Sequence, residues 1–127
     1  MQDKHLFEYA IIRIVPRVER EEFLNAGVIL YCADEKFLQS KCHINRNRLS
    51  NFSCEVEMEE LEKKLEAIRQ ICDGNMKGGD IAALPIAARF RWLTAAKSTI
   101  IQTSAVHPGF CTNAKDELDK LFTELVE

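Results

Sequence analysis

What the sequence lacks narrows its reading first. The 127 residues contain no CxxC pair, no G-x-S-x-G and no two histidines at metal-ligating spacing, so no zinc ribbon, hydrolase elbow or zincin helix is signalled. No window approaches the roughly 20 apolar residues that span a bilayer. The N-terminal MQDKHLFEYA has neither the basic nor the apolar region of a secretory signal, which predicts a chain that stays in a reducing cytoplasm, away from membranes. A basic surplus is also missing. With 17 Lys and Arg against 20 Asp and Glu the net charge is −3, unlike a generic polyanion binder, so nucleic acid is not an expected partner. Glycine (5) and proline (3) are few, and no repeat, low-complexity stretch or linker divides the chain. One domain over residues 1–127 is expected, with the 46% hydrophobic and 29% charged composition of a globular protein.

The five cysteines (Cys32, Cys42, Cys54, Cys72, Cys111) are odd in number and scattered. They read as small buried thiols, with neither a metal site nor a disulfide framework indicated. Gly74 and Gly79 have the spacing of the first and last glycines of a phosphate loop, but Asp80 stands where a lysine is needed and would repel phosphate. His5, His43 and His107 come from separate segments, Cys111 lacks an orienting carboxylate to make it a nucleophile with His107, and Glu22 with His107 as a hydrolytic pair has no geometry behind it. No catalytic residue, metal ligand or cofactor is assigned.

What is present is a clear run of elements. Leu6 to Val15 is rich in β-branched and aromatic residues and stops at Pro16, a strand whose near-continuous apolarity suggests cover on both faces. After the charged connection Pro16 to Glu22, a second strand spans about Leu24 to Ala33. Asp34-Glu35-Lys36 then turns the chain into a third, Phe37 to Ile44. Asn45 is placed to cap a short helix carrying Arg46, Arg48, Leu49 and Phe52. Val56 to Cys72 is an amphipathic helix with Leu61, Leu65, Ile68 and Cys72 on one stripe, ended by Asp73-Gly74-Asn75. A loop (Asn75 to Asp80) leads to Ile81–Ala96, helical after Pro85. A fourth strand follows at Ser98 to Ala105, then a His107-Pro108-Gly109 turn and a closing helix from about Asn113 with Leu118, Leu121, Phe122 and Leu125 inward. The order β-β-β-α-α-α-β-α predicts an α+β domain: a small, mostly antiparallel sheet of about four strands, the fourth beside the first, with helices packed on one side.

Arginines supply the candidate site. Arg13 interrupts an apolar strand and must reach the sheet's end or be paired, since an unpaired buried charge is very costly. Arg13, Arg20 and Asn25 converge on one sheet edge in this reading, as a carboxylate or phosphate pocket or, with Glu22, as an internal bridge. Arg89 and Arg91 flank Phe90 before Trp92 and are further candidates for an anion, although on a helix Arg89 can simply face solvent.

The same residues carry a resemblance. Tyr9-Ala10-Ile11-Ile12-Arg13-Ile14-Val15-Pro16, then Arg20, Glu22, Phe23, Asn25 and Gly27-Val28-Ile29-Leu30, resemble the N-terminal signature of a bacterial family, domain of unknown function 3037 (DUF3037). Arg89 to Thr94, Ser98 to Gln102, His107-Pro108-Gly109 and the closing helix follow in matching order; Ala26 departs from the β-branched residue often found there. The resemblance implies no known activity or site residue. It implies a small accessory or regulatory protein whose partner is a HipA-like kinase protein, since members are often encoded beside one. The leading expectation is a non-enzymatic partner-binding module; the alternative is a small-anion or nucleotide-binding domain on the arginine cluster.

Overall fold

The computed structural model describes residues 4–17, 22–50, 58–95 and 100–127. Its elements are β1 (His5–Arg17), β2 (Glu22–Cys32), β3 (Phe37–Cys42), α1 (Arg46–Ser50), α2 (Met58–Asp73), 3₁₀ turns at Met76–Gly78 and Asp80–Ala83, α3 (Ile86–Thr94), β4 (Ile101–Thr103), β5 (His107–Cys111) and α4 (Ala114–Leu125). Arg20, Phe52, Cys54, Val56, Ser98 and Thr99, to which the sequence reading assigned places, lie outside the described residues. Asn45 caps α1 as expected, its Oδ1 accepting from the Arg48 N–H at 3.0 Å, and Asn113, where the closing helix was expected to begin, caps α4, its Oδ1 accepting from the Asp116 N–H at 2.9 Å.

The fold is α+β with an antiparallel sheet in the order β3-β2-β1, and β4 and β5 both on the far side of β1. The fourth strand therefore does lie beside the first. The sheet has five strands where about four were expected, and the extra one is the segment read as a turn. His107-Pro108-Gly109 is extended in β5, paired with Tyr9, Glu8 and Phe7. Two local facts make this workable. On the outer strand of a sheet, a proline whose missing N–H faces away from the neighbour removes no ladder bond. Gly109 also lacks the Cβ that would stand 2.6 Å from the Phe7 ring, so that ring can lie across β5.

β4 and β5 are in effect one edge strand with an interruption. Ile14, Arg13 and Ile12 pair with Ile101, Gln102 and Thr103; Tyr9 to His5 then pair with His107 to Cys111. Between the runs the ladder is completed by a side chain. The Ser104 N–H donates to Ile11 O at 2.9 Å, and the Ile11 N–H donates to Ser104 Oγ at 2.8 Å. This employment explains why a serine is only 7% exposed.

The helices are not on one side. Ile12, Ile14, Leu24, Ala26, Ile29 and Leu38 pack with Leu61, Leu65 and Cys72 of α2 and Phe90 and Leu93 of α3. Phe7, Val28, Leu30 and Cys32 pack on the opposite face with Leu118, Leu121 and Phe122 of α4. β1 and β2 are apolar on both faces, and such strands need cover on both. At ~25 cal/mol per Å² of apolar area removed from water, leaving either face open would be costly.

Candidate functional site

The sheet positions Arg13 through a register break. Ile12 pairs with Gly27 but Arg13 pairs with Asn25, so Ala26 is the extra residue of a bulge. The bulge shifts the side-chain alternation. Leu24 and Ala26 face α2, while Val28 and Leu30 face α4. Asn25 thereby stands beside Arg13 on the α4 face, where its Nδ2 donates to Leu125 O at 3.0 Å. The Arg13 guanidinium carbon lies 4.4 Å from the centre of the Phe23 ring, a stacking geometry suited to a cation on an aromatic face. Arg13 Nε and Asn25 Oδ1 are both buried without a hydrogen-bond partner. Next to them is an open cleft of about 510 Å³ lined by Phe23, Asn25, Arg48, Glu124, Leu125 and Glu127. Its charges are of both signs, and the C-terminal end of a helix such as α4 favours cations over anions.

Of the remaining predicted arginines, Arg89 and Arg91 do not join this corner. Arg89 is on α3, across the sheet. Its Nη1 donates to Ile71 O and Cys72 O, each at 2.8 Å, and its Nε to Leu84 O at 3.0 Å. The first two bonds satisfy carbonyls at the end of α2, a capping role in which the guanidinium also meets the favourable end of the helix dipole. Arg91 is exposed on the same helix. Arg20 lies outside the described residues. The chain's geometry thus brings together Arg13, Asn25 and, unforeseen from the sequence, Phe23 and Arg48.

Hydrolytic chemistry finds little footing. Glu22 pairs with Arg17 across β1–β2, whereas His107 pairs with Tyr9 on β1's other side. At ~3.3 Å per residue the two anchor positions on β1 are roughly 26 Å apart. Cys42 lines a groove of about 440 Å³ between the end of β3 and α2, rimmed by His43, Arg46, Glu62 and Arg69, and Cys72 is buried in the core that Cys42 packs against. Burial pushes the Cys42 thiol up to about 11 and the Cys72 thiol up to about 12, against hydrogen bonding from Ser40, so neither is a thiolate nucleophile near neutrality. Among the described residues no group of three or more His, Cys, Asp and Glu side chains could hold a metal ion, and no described helix is long and apolar enough to cross a membrane.

A second region has the features of a contact surface. Val15 N donates to Ile100 O at 2.7 Å and Ser104 N to Ile11 O at 2.9 Å, so the odd positions of β1 aim their backbone at this edge. By alternation His107, Gly109 and Cys111 bond to β1, while Pro108 and Phe110 turn their backbone groups outward. Phe110 is 68% exposed and its direct cross-strand partner Leu6 is 50% exposed, giving an apolar pair on an edge that has no further strand neighbour among the described residues. Edge strands are commonly protected by charges, yet no Asp, Glu, Lys or Arg occurs between Lys97 and Lys115. That uncharged stretch is the signal in the sequence that marks this edge.

A family model described as a protein of unknown function, DUF3037, matches residues 9–126. The chain belongs to this family. The match takes in β1 from Tyr9 through α4, and so Arg13, Asn25 and Phe110, but not Leu6. No curated protein and no solved structure matches the chain.

Proposed function

We propose that this DUF3037 protein is a non-enzymatic accessory module of the bacterial cytoplasm that binds a protein partner, which adds a strand along β5. The observation that carries the reading is the uncharged outer edge with Phe110 exposed beside Leu6. Strand addition draws affinity from main-chain hydrogen bonds and specificity from alternate side chains. The edge offers the outward backbone of Phe110 for the first and its ring for the second. A partner segment suited to it is extended, uncharged and apolar opposite Phe110. A HipA-like kinase is the partner implied by the resemblance, and it is the first to test. Tagged wild-type protein at native expression level should retain a single partner at near-equal amount, and Phe110→Lys should lose most of it while melting at nearly the same temperature. Equal recovery by both would remove the edge from the reading, and no partner on the wild type would remove the reading itself.

A second reading, a small-anion or nucleotide site, is favoured by one observation: Arg13 Nε and Asn25 Oδ1 are buried and unpaired beside the cleft that holds Arg48. A phosphate-bearing ligand at ~100 times its dissociation constant would stabilise the fold by about 2.7 kcal/mol. Thermal melts with inorganic phosphate and with ATP should show that rise in the wild type and none in Arg13→Met. A wild type that melts identically with and without both ligands disposes of it.

A further inference from the structure

We infer that, when no partner occupies it, the β5 edge pairs antiparallel with the same edge of a second copy of this chain, about a two-fold axis at Phe110. The inference rests on the reading that this edge accepts an added strand; what it adds is the identity of one occupant.

Charge is the first ground. A two-fold interface sets residues on its axis against their own copies and pairs the others reciprocally, so a charge at the axis meets a like charge. The whole chain is acidic, with net charge −3, but the segment between Lys97 and Lys115 contributes no Asp, Glu, Lys or Arg to the joint. Like charges directly opposite one another destabilise a strand pair, and here there are none to do so.

Backbone register is the second ground, and it selects the axis. Phe110 offers an outward N–H and C=O, whereas Pro108 offers a C=O alone. With Phe110 opposite Phe110 of the second copy, each donates to the other's carbonyl. Thr112, exposed just past the end of β5, then falls opposite Pro108 and can give its N–H to the carbonyl there. Moving the axis to Pro108 sets two prolines face to face with no donor between them. Placing Phe110 opposite Pro108 leaves each Phe110 carbonyl without its N–H. The Phe110-centred register is the one in which the proline's missing donor leaves Phe110 fully paired.

The side chains are the third ground. Phe110 and Leu6 are direct partners on one face. The Phe110-centred pairing therefore produces an unbroken apolar row, Leu6 and Phe110 followed by Phe110 and Leu6 of the second copy, across the joined sheets. Aromatic pairs directly opposite in antiparallel strands are among the favourable cross-strand contacts.

The test uses the full chain, purified without partners. Sedimentation equilibrium of the wild type should give twofold the chain mass at high concentration, and Phe110→Lys should give the single-chain mass. Mild oxidation of Phe110→Cys should yield a covalent dimer. Leu6→Cys should yield none, because its copies would stand three strand spacings apart, roughly 14 Å. A wild type that remains single-chain at its highest soluble concentration overturns the inference. So does a dimer that persists in Phe110→Lys or fails to crosslink through Phe110→Cys. Any of these three results leaves the strand-adding partner standing if the wild type still captures it and Phe110→Lys does not. Loss of that difference in capture sinks the partner reading separately.

Discussion

The two outer strands of this sheet solve the same problem in opposite ways. β3 is held between helices, with α2 against one face and α4 against the other. It carries Lys41, which reaches Asp119 at 3.2 Å and lies 4.9 Å from the centre of the Phe122 ring. Lys115 and then Lys41 hold the Asp119 carboxyl below its ordinary value, so the cluster stays charged at neutral pH. β4 and β5 have marginal helix contact and no Asp, Glu, Lys or Arg. Their ladder is interrupted at Ser104 and loses an outward donor at Pro108. One edge is closed by packing and charge. Along β5 the other is limited to particular registers but meets no further strand among the described residues, which is what a binding edge requires.

The comparison can be broken most sharply at Gly27, where β2 meets the closed edge. A Cβ there would stand 2.7 Å from Lys41 O and 2.7 Å from Cys42 Sγ. Backbone cannot yield as a side chain can, so Gly27→Ala should destabilise the fold by about 3 kcal/mol in urea unfolding. If β3 moved away freely, as an open edge would, the loss would be far smaller.

Alkali probes the buried thiols of both sides next, since burial also pushes the Cys111 thiol on β5 up to about 11. Cys42 and Cys72 have an ordinary value of 9.0, raised by burial to about 11 and about 12. Between these values the unfolded chain releases protons that the folded chain keeps. Stability should therefore be unaffected by the thiols below pH 9 and fall as pH rises from about 9 toward 11, by roughly 2–3 kcal/mol for one such shift. Cys72→Ala should flatten that slope, measured by urea unfolding at stepped pH.

On the open side, Ser104→Ala removes the acceptor of the part-buried Ile11 N–H. The expected loss is about 1–2 kcal/mol, with amide exchange accelerated at Ile11 and along β4–β5 but not along β3.

Much of the architecture was legible in the residues because local rules and tertiary structure agree. The apolar runs of β1 and β2, the Asp34-Glu35-Lys36 turn, the Asn45 cap and the amphipathic stripes of α2 and α4 all appear where periodicity and capping chemistry put them. Proline and glycine misled at residues 107–109. Their turn preference is a local property, while edge position and the Phe7 ring are tertiary facts. The arginines were legible as residues needing partners, but which partners was not. Arg89's partners are backbone carbonyls of Ile71, Cys72 and Leu84, and main-chain acceptors leave no trace in side-chain patterning.

The sequence by itself determined the fold class and the order of every strand and α-helix but β5, because hydrophobic period, caps and turn residues act within a few positions of one another. It also determined the absence of charge between Lys97 and Lys115, without saying what that absence serves. Tertiary structure decided which face each helix covers, since both faces of β1 and β2 are apolar and neither is marked for α4. It decided that Arg13 and Asn25 share a face, through a bulge set by β1–β2 register, and that Arg89 does not join them. It decided, too, that the uncharged segment is an outer strand with Phe110 exposed, because an edge is defined by the strand that is not beside it.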